Sequence, residues 1–498
     1  MSSLSDKTAR GAAWTIVSSL GARAIGVAGT VVMTHLLEPD VVGAVNDAMI
    51  IALTANWMSI WGFNQYVIVK GRGPDSREVT FHVTVAHIVM AIVGLGLVAA
   101  FGGRLAPVFN APMAARFVPG MALSMFIRRI GSTAEKVLIR NMKFRAIAMQ
   151  TAAGEVTYGF VAVYFAWRGY GGDAIIIGNI VQSTVMVAIV IAAAGWSSWA
   201  TPVKLRWSRF RDMTRFGVPL SIQAVAHNAS RYWDNLTVSH FFDAGAAGLY
   251  NMAYNLADIP AVHVGEQLAS VLLPSFARLA PERRPRALER ATALLSLLIF
   301  PMAIGLGLIA KPLIAVALSP EWQGVAPLLT VLSALSVFRP ITWVVSTYME
   351  SNLQTGRYMW LEIVKLFVLL GAIAILSRWG LLWAAGGVGV AFGFAAIAGV
   401  WLVVKDGPSP ARVARGFLQP LAACGVMVVA VLGLRHVLEG NVAPWIDLLA
   451  EMAAGAISYV IAALILCRDT AKDFLSLAKG VLKGKRGGAA PDPDDDLD

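Results

Sequence analysis

Charge is scarce in this chain of 498 residues. Asp, Glu, Lys and Arg together make up 14% of it, where a soluble domain carries about 25%. Cysteine is nearly absent: the two present, Cys424 and Cys467, lie in apolar stretches and read as small buried hydrophobes. That excludes a disulfide framework and leaves no Cys/His metal spacing. There is no phosphate-binding Gly-rich loop ending in Lys-Ser/Thr and no nucleophile elbow, so no soluble-enzyme signature appears. The glycines of "GYGGDAIIIG" sit in a short connection and read as a turn, not a dinucleotide loop. No cofactor and no metal is expected. The sequons "NAS" (228–230) and "NLT" (235–237) fall inside an apolar segment and are discounted.

What the chain has instead is apolar length. Hydrophobic residues make up 57% and the mean hydropathy is +0.65. A membrane span needs roughly 20 mostly apolar residues, and the pattern predicts about fourteen. They fall at 12–34, 42–65, 80–101, 117–138, 147–167, 173–195, 214–239, 246–273, 289–310, 325–348, 358–377, 381–404, 416–435 and 446–467. The N-terminus has no short apolar run ended by a small-residue cleavage site, so the first span is expected to be retained. The fold class is an all-α polytopic membrane protein.

The net charge of +11 reads through its position. With the N-terminus inside, the inner connections and tails hold roughly 28 Lys and Arg, the outer ones roughly 6 and the spans about 7. The strongest inner segments are "VKLRWSRFRDMTR" (203–215) and "ARLAPERRPRALER" (277–290). This asymmetry places both termini in the cytoplasm and removes the case for a nucleic-acid partner. It also divides the chain. Six spans (1–203) end at the first basic connector, six more (204–405) follow, and two further helices (406–467) lie beyond the Pro/Gly/Ser linker "KDGPSPARVARG". Residues 468–498, first basic and then acidic, read as a disordered cytoplasmic tail.

Several segments occur in an order that resembles a known family. They are "THLLEPDVVG" after span 1, "GFNQYVIVKG" closing span 2, "KVLIRNMKFRAIA" between spans 4 and 5, and "WRGYGGDAIIIGNIV" entering span 6. Next come "RFGVPLSIQ", "RYWDNLTVSHFFDAGAAGLYNMAYNLADIP", "LLPSFARL" and "PEWQGVAPLL". Over residues from about 8 to about 400 the chain resembles the polysaccharide transporters, the Wzx-type oligosaccharide flippases. Their superfamily also holds multidrug and toxin extrusion proteins and peptidoglycan-lipid flippases. The resemblance implies two six-helix lobes around a central cavity, often with two added helices. It implies transfer of isoprenoid-diphosphate-linked glycan from the inner to the outer leaflet of a bacterial inner membrane. The chain departs from the pattern at His35, Glu38 and Asp40, where the family has small residues.

The charged residues inside the spans are the candidates for this work, because an ionisable group at bilayer depth costs at least ~2.5–3.5 kcal/mol. In span 7, His227, Arg231, Asp234 and Asn235 share a face, and in span 8, Asn251, Tyr254, Asn255 and Asp258 do. Two readings stay open: a sealed network that locks the lobe, or a stripe that faces the cavity. Arg23 near mid-span 1, one of the adjacent pair Arg128 and Arg129, Arg231 and Arg339 suit the diphosphate, since guanidinium offers planar, charge-assisted donors. At most one of Arg128 and Arg129 is expected to face the cavity squarely, and Arg128 is the candidate carried forward. Asn56, Asn228, Asn235, Asn251, Tyr254 and Asn255 suit sugar hydroxyls. Asp234, Glu155, Asp258 and Asp47 are the carboxylates able to couple a proton or Na⁺. Glu362 and Lys365 read as an i, i+3 pair.

The expected function is therefore transport and not catalysis, on a lipid-linked oligosaccharide in contact with membrane lipids, alongside the polymerase and glycosyltransferases of a glycan pathway. The alternatives are a drug exporter or a peptidoglycan-lipid flippase of the same superfamily. More distant is a glycan polymerase or ligase, for which no outer connection is long enough to hold a catalytic domain.

Overall fold

Proline lacks the N–H that a helix interior needs, but fits its first turn. Pro39, after Glu38 in extended backbone, opens α1 (Pro39–Met58) in that way. The computed structural model describes residues 26, 28–70, 75–141, 143–260, 272, 276, 279–352, 354–438 and 443–484. The sequence predicts an unbroken span over 42–65, but α1 stops at a turn containing Trp61 (φ 49°) and Gly62 (φ 61°). The reason is a backbone crossing. A Cβ on Gly62 would stand 2.7 Å from Gly217 Cα, and one on Gly217 would stand 1.8 Å from the Trp61 carbonyl oxygen. The chain resumes as a short helix, Phe63–Lys70.

Next come α2 (Ser76–Phe101), α3 (Ala114–Arg140), α4 (Phe144–Trp167), α5 (Asp173–Ala194), α6 (Trp207–Phe241) and α7 (Ala244–Pro260). The later helices are α8 (Arg284–Leu308), α9 (Val325–Leu335), α10 (Arg339–Ser351), α11 (Thr355–Leu376), α12 (Leu381–Val404), α13 (Pro410–Leu438), α14 (Pro444–Leu466) and α15 (Arg468–Gly484). A 3₁₀ turn at Ser336–Phe338 divides the predicted span 325–348 into α9 and α10, with Pro340 in the first turn of α10. Among the described residues nine helical segments are long and apolar enough to cross a membrane. Three more, α3, α4 and α6, have the length but are more polar, and much of the candidate chemistry sits in them. No strand occurs among the described residues. The chain is an all-α, multi-pass membrane protein.

Beyond the last span the reading from sequence needs correction. The tail from 468 is not an uninterrupted coil: after a break at Cys467, residues Arg468–Gly484 form α15. Within this helix the charged residues Arg468, Asp469, Lys472 and Asp473 are set apart from an apolar side, and Ala471 and Phe474 dock against neighbouring helices.

Two compact units emerge. The first is Met1–Asn251 with Ala317–Gly324 and Ile373–Leu381, and the second is Met252–Val316 with Val325–Ala372 and Leu382–Asp498. In the first, Ala44, Ile50, Phe117, Met121, Ile176 and Leu236 join α1, α3, α5 and α6 into one core. In the second, Leu295, Ile299, Val344, Ala396, Val403 and Val413 join α8, α10, α12 and α13. Phe300, Met427 and Tyr459 pack α13 and α14 onto α8 together with Cys424 and Cys467, both buried free thiols.

Candidate functional site

On α3, Ser124, Arg128, Ser132 and Glu135 follow i, i+4, i+8, i+11, which places them on one helical stripe. That stripe lines a cavity of about 360 Å³ inside the first unit. Asn56 and Asn64 come to it from the α1 segment and the short helix that follows, Asn179 and Ser183 from α5, and Tyr232 from α6. Both adjacent arginines reach the cavity, where the sequence allowed for one. They differ in state. Arg129 is buried and donates to the Asn56 carbonyl at 2.9 Å and to Asn56 Oδ1. Its Nη1 has no hydrogen-bond partner among the described residues. Arg128 is exposed, and its Nη2 meets the Met186 sulfur at 3.3 Å, a weak acceptor. Glu135 and Lys136 pair at 2.6 Å on the same wall. The wall thus carries three cations and one carboxylate.

Around the cavity the aromatic rings of Trp57 and Tyr232 lie 5.4 Å apart, and Trp233 Nε1 donates to Thr54 at 3.0 Å. Arg231 is half-buried, 6.0 Å from the centre of the Tyr232 ring. Glu155 on α4 is half-buried, accepts from Gln182 Nε2 at 3.5 Å and lies against Gly26, where a Cβ would stand 3.1 Å from Oε2. Asn228 is half-buried on α6. Arg23 lies outside the described residues.

A second polar cluster occupies the seam of α1, α6 and α7. Asn251 Nδ2 donates to Asn46 Oδ1 and to Asn235 Oδ1, each at 3.1 Å. Asp234 accepts from the backbone N–H and side chain of Asn235 at 2.9 and 3.0 Å, and from the Tyr250 hydroxyl at 2.8 Å. Ser239 Oγ donates to Asp47 Oδ2 at 2.5 Å, while Asp47 Oδ1 is buried without a partner among the described residues. Small residues permit the approach: a Cβ on Gly43 would stand 1.8 Å from the Ala244 carbonyl oxygen, and one on Gly248 2.0 Å from that of Pro39. Asp234 and Asn235 are therefore enclosed in this network, at 1% and 2% exposure.

The polar stripe of α7 continues into the second unit and changes partners there. Asp258 forms a buried ion pair with Arg339. The Arg339 guanidinium also lies 5.4 Å from the Tyr254 ring centre and 5.0 Å from that of Phe392. Asn255 is exposed. Glu362 and Lys365 pair at 2.7 Å, buried, with Lys365 5.3 Å from the same Phe392 ring. A further pair joins the half-buried Arg435 to both oxygens of the buried Glu451 at 2.6 and 2.8 Å, and the same Arg435 donates to the Leu308 carbonyl.

The structure thus separates the candidate residues. Arg128 and Asn56 meet in the cavity. Asp47, Asp234, Asn235 and Asn251 meet in the seam. Arg339, Asp258 and Tyr254 form one cluster of their own. Sequence reasoning missed Ser132, Asn179, Ser183, Tyr232 and Tyr250. The four-residue spacing of Ser124, Arg128 and Ser132, and of Asn179 and Ser183, was the available signal.

A family profile described as polysaccharide biosynthesis protein matches residues 32–327, more than half of the chain. The chain belongs to this family. Among its relatives is the succinoglycan biosynthesis transport protein ExoT of Rhizobium meliloti (strain 1021), 24% identical over 369 residues, covering 73% of each chain. Another is the lipopolysaccharide biosynthesis protein WzxC of Escherichia coli (strain K12), 21% identical over 401 residues, or 79% of this chain and 78% of that one. In fold the chain is similar to the lipid II flippase MurJ in an inward closed conformation. That likeness has a TM-score of 0.72 at 14% identity, over 92% of this chain and 99% of the other. An inward-facing multidrug resistance MATE transporter matches with a TM-score of 0.62 at 12% identity, over 77% and 94%.

Proposed function

We propose that the chain is a flippase that carries isoprenoid-diphosphate-linked oligosaccharide repeat units from the inner to the outer leaflet by alternating access. Two six-helix lobes, 1–203 and 204–405, would make the moving parts, with 406–467 as added helices. The observation that carries the reading is the cavity wall of the first unit. Arg128 is exposed there with only a thioether as partner, Arg129 is pinned by Asn56 with one guanidinium nitrogen to spare, and Lys136 adds a third cation. Such a wall suits a polyanion, since charge-assisted donors to phosphate oxygens are strong where water is scarce. It does not suit the cations that a drug exporter typically moves. About 360 Å³ is within the range of small-ligand pockets, enough for a diphosphate and its first sugar, with the prenyl chain left in lipid.

The neutral groups then have a use. Asn64, Ser132, Asn179 and Ser183 offer donors and acceptors to sugar hydroxyls, and Tyr232 offers a ring face. Glu155 and Asp47 are the carboxylates best placed to couple a proton or Na⁺. Asp258 is neutralised by Arg339, and Asp234 is engaged by Asn235 and Tyr250. The setting is a bacterial inner membrane with both termini in the cytoplasm, where the polymerase and glycosyltransferases of the same pathway would hand over and take up the substrate.

The test is Arg128→Gln in cells, with protein level held at wild type. Lipid-linked repeat units should accumulate on the inner leaflet while surface glycan falls by about tenfold, the loss of one charge-assisted contact of ~1.5 kcal/mol. Normal surface glycan in Arg128→Gln and in Arg128→Gln/Arg129→Gln would remove the cavity from the mechanism. Uptake of cationic dyes by purified protein, without transfer of diphosphate-linked glycan, would favour the drug-exporter alternative.

A further inference from the structure

The last described helix, α15, begins one residue after α14 ends. It therefore starts at a membrane surface. Its apolar residues do not all serve the fold. Ala471 is buried and Phe474 packs into the core that joins α13 and α14 to α8, yet Leu475 remains 45% exposed. Lys472, three positions before Leu475 and so on the same side of the helix, is exposed too. By spacing alone, Lys479 and Lys483 follow Lys472 at i+7 and i+11, and Arg468 precedes it at i−4. These four basic residues share one stripe, within roughly 60° of each other at 3.6 residues per turn. That stripe borders the apolar arc instead of opposing it. Asp469 and Asp473 fall beyond the stripe on its side away from Leu475, and Asp473 is engaged by Arg290 of α8 at 3.1 Å.

A second observation concerns what surrounds α15. The Arg290–Asp473 pair fixes it beside the N-terminal end of α8, and Arg412 at the start of α13 pairs with Glu289 at 3.1 Å. The starts of α8 and α13 and the end of α14 thus share one face of the second unit. Arg286 and Arg415 are exposed on that same face. An exposed Leu beside a lysine stripe, surrounded by further arginines at the end of a span, has a specific physical match: apolar contact with acyl chains below and negative phosphate oxygens at headgroup depth.

We propose that α15 and the arginines around it form a binding surface for anionic phospholipid headgroups, with α15 lying in the plane of the interface. The helix docks on the bundle through Ala471 and Phe474 and on lipid through Leu475, Lys472 and Arg468. The surface sets how firmly α13 and α14 are held, because α15 continues directly from α14. Phosphatidylglycerol or another anionic lipid serves equally, since the phosphate and not the headgroup polyol is recognised.

The test uses the full chain in nanodiscs, one set of phosphatidylcholine alone and one with a third of phosphatidylglycerol, and reads hydrogen exchange of the amides of 468–484. Exchange should slow by about tenfold or more in the anionic discs, because basic residues are attracted to a negative membrane surface. The protection should disappear in half-molar salt and in the Lys472→Gln/Lys479→Gln/Lys483→Gln variant, with exchange in α8 unchanged. Equal protection in both lipids, or protection that survives salt and the triple variant, overturns the proposal. So does protection lost on deleting the acidic segment 491–498, which would make the chain's own tail the occupant.

Discussion

Gly43→Ala should open the seam of α1, α6 and α7 with a single methyl group. The added Cβ would stand 1.8 Å from the Ala244 carbonyl oxygen, 2.8 Å from its carbon and 2.9 Å from the Gly248 nitrogen. A carbon meets an oxygen at about 3.3 Å or more, so the helices must separate by about 1.5 Å. All three obstructing atoms are backbone, and no side-chain rotation can relieve them. A shift of that size carries the Asn251–Asn46 bond from 3.1 Å to about 4.6 Å, outside hydrogen-bond reach. Overpacking costs about 1–3 kcal/mol, and polar contacts between membrane helices average ~0.6 kcal/mol each. The better helix propensity of Ala returns at most ~1 kcal/mol. The net loss is then about 1–3 kcal/mol. Gly96→Ala and Gly371→Ala are the controls, since a Cβ at either position meets nothing within 4 Å, and propensity alone makes them neutral or mildly stabilising. Purified protein in detergent should melt at a lower temperature for Gly43→Ala than for either control. The amides of 244–251 should exchange faster. A Gly43→Ala protein that melts with the controls and keeps those amides protected would refute the close-crossing argument.

Other substitutions follow from the buried pairs. Asp258→Asn leaves the buried Arg339 without its carboxylate and should cost about 3–5 kcal/mol, whereas Asp258→Leu/Arg339→Met should recover much of the loss in a melting experiment. If the single variant is no less stable than the double, the pair is not what holds α7 to α10. Glu451→Gln removes the carboxylate that binds Arg435 through both oxygens. With Arg435 a quarter exposed, a loss of about 1–3 kcal/mol is expected, read as faster exchange in α13 and α14 and not in α3. Arg129 meets both Asn56 oxygens through Nη2 and keeps Nη1 unpartnered among the described residues, so Arg129→Lys can hold Asn56 but removes the second nitrogen. Glycan export should fall several-fold at unchanged protein level, and wild-type export would assign Arg129 to packing alone.

The nine apolar spans among the described residues were legible because their signal is compositional: twenty apolar residues announce a span wherever the helix later packs. The interruptions were not. Nothing in "WMSIWGFNQY" separates a continuous helix from a broken one until Gly217, over 150 residues later, is brought against Gly62. Spacing identified the stripes of α6 and α7 as polar faces, but it could not divide Asn251 from Asp258 along one helix. That division depends on Asn46 and Arg339, which lie far away in the chain. The tail failed for a local reason. The charges of 468–484 read as solvated when scanned linearly, and only the helical projection shows the apolar arc beside them.

The arrangement of charge across the described membrane helices also bears on where substrate binds. Asp258 answers Arg339, Glu362 answers Lys365, Glu451 answers Arg435 and Glu135 answers Lys136. Each of these pairs is close to neutral and can be explained by insertion and packing alone. Arg128 and Arg129 differ: neither forms an ion pair among the described residues, and their contacts are an amide side chain, a carbonyl and a thioether. Two adjacent cations that form no ion pair among the described residues cost more than a neutral pair. A pair of leucines at these positions would insert without that repulsion. On the proposed function, an anion that enters the cavity offsets that cost at the wall where Arg128 and Arg129 meet. Replacing both arginines should therefore stabilise the protein to heat while abolishing export, an opposition of stability and activity that a purely structural role for the pair would not produce.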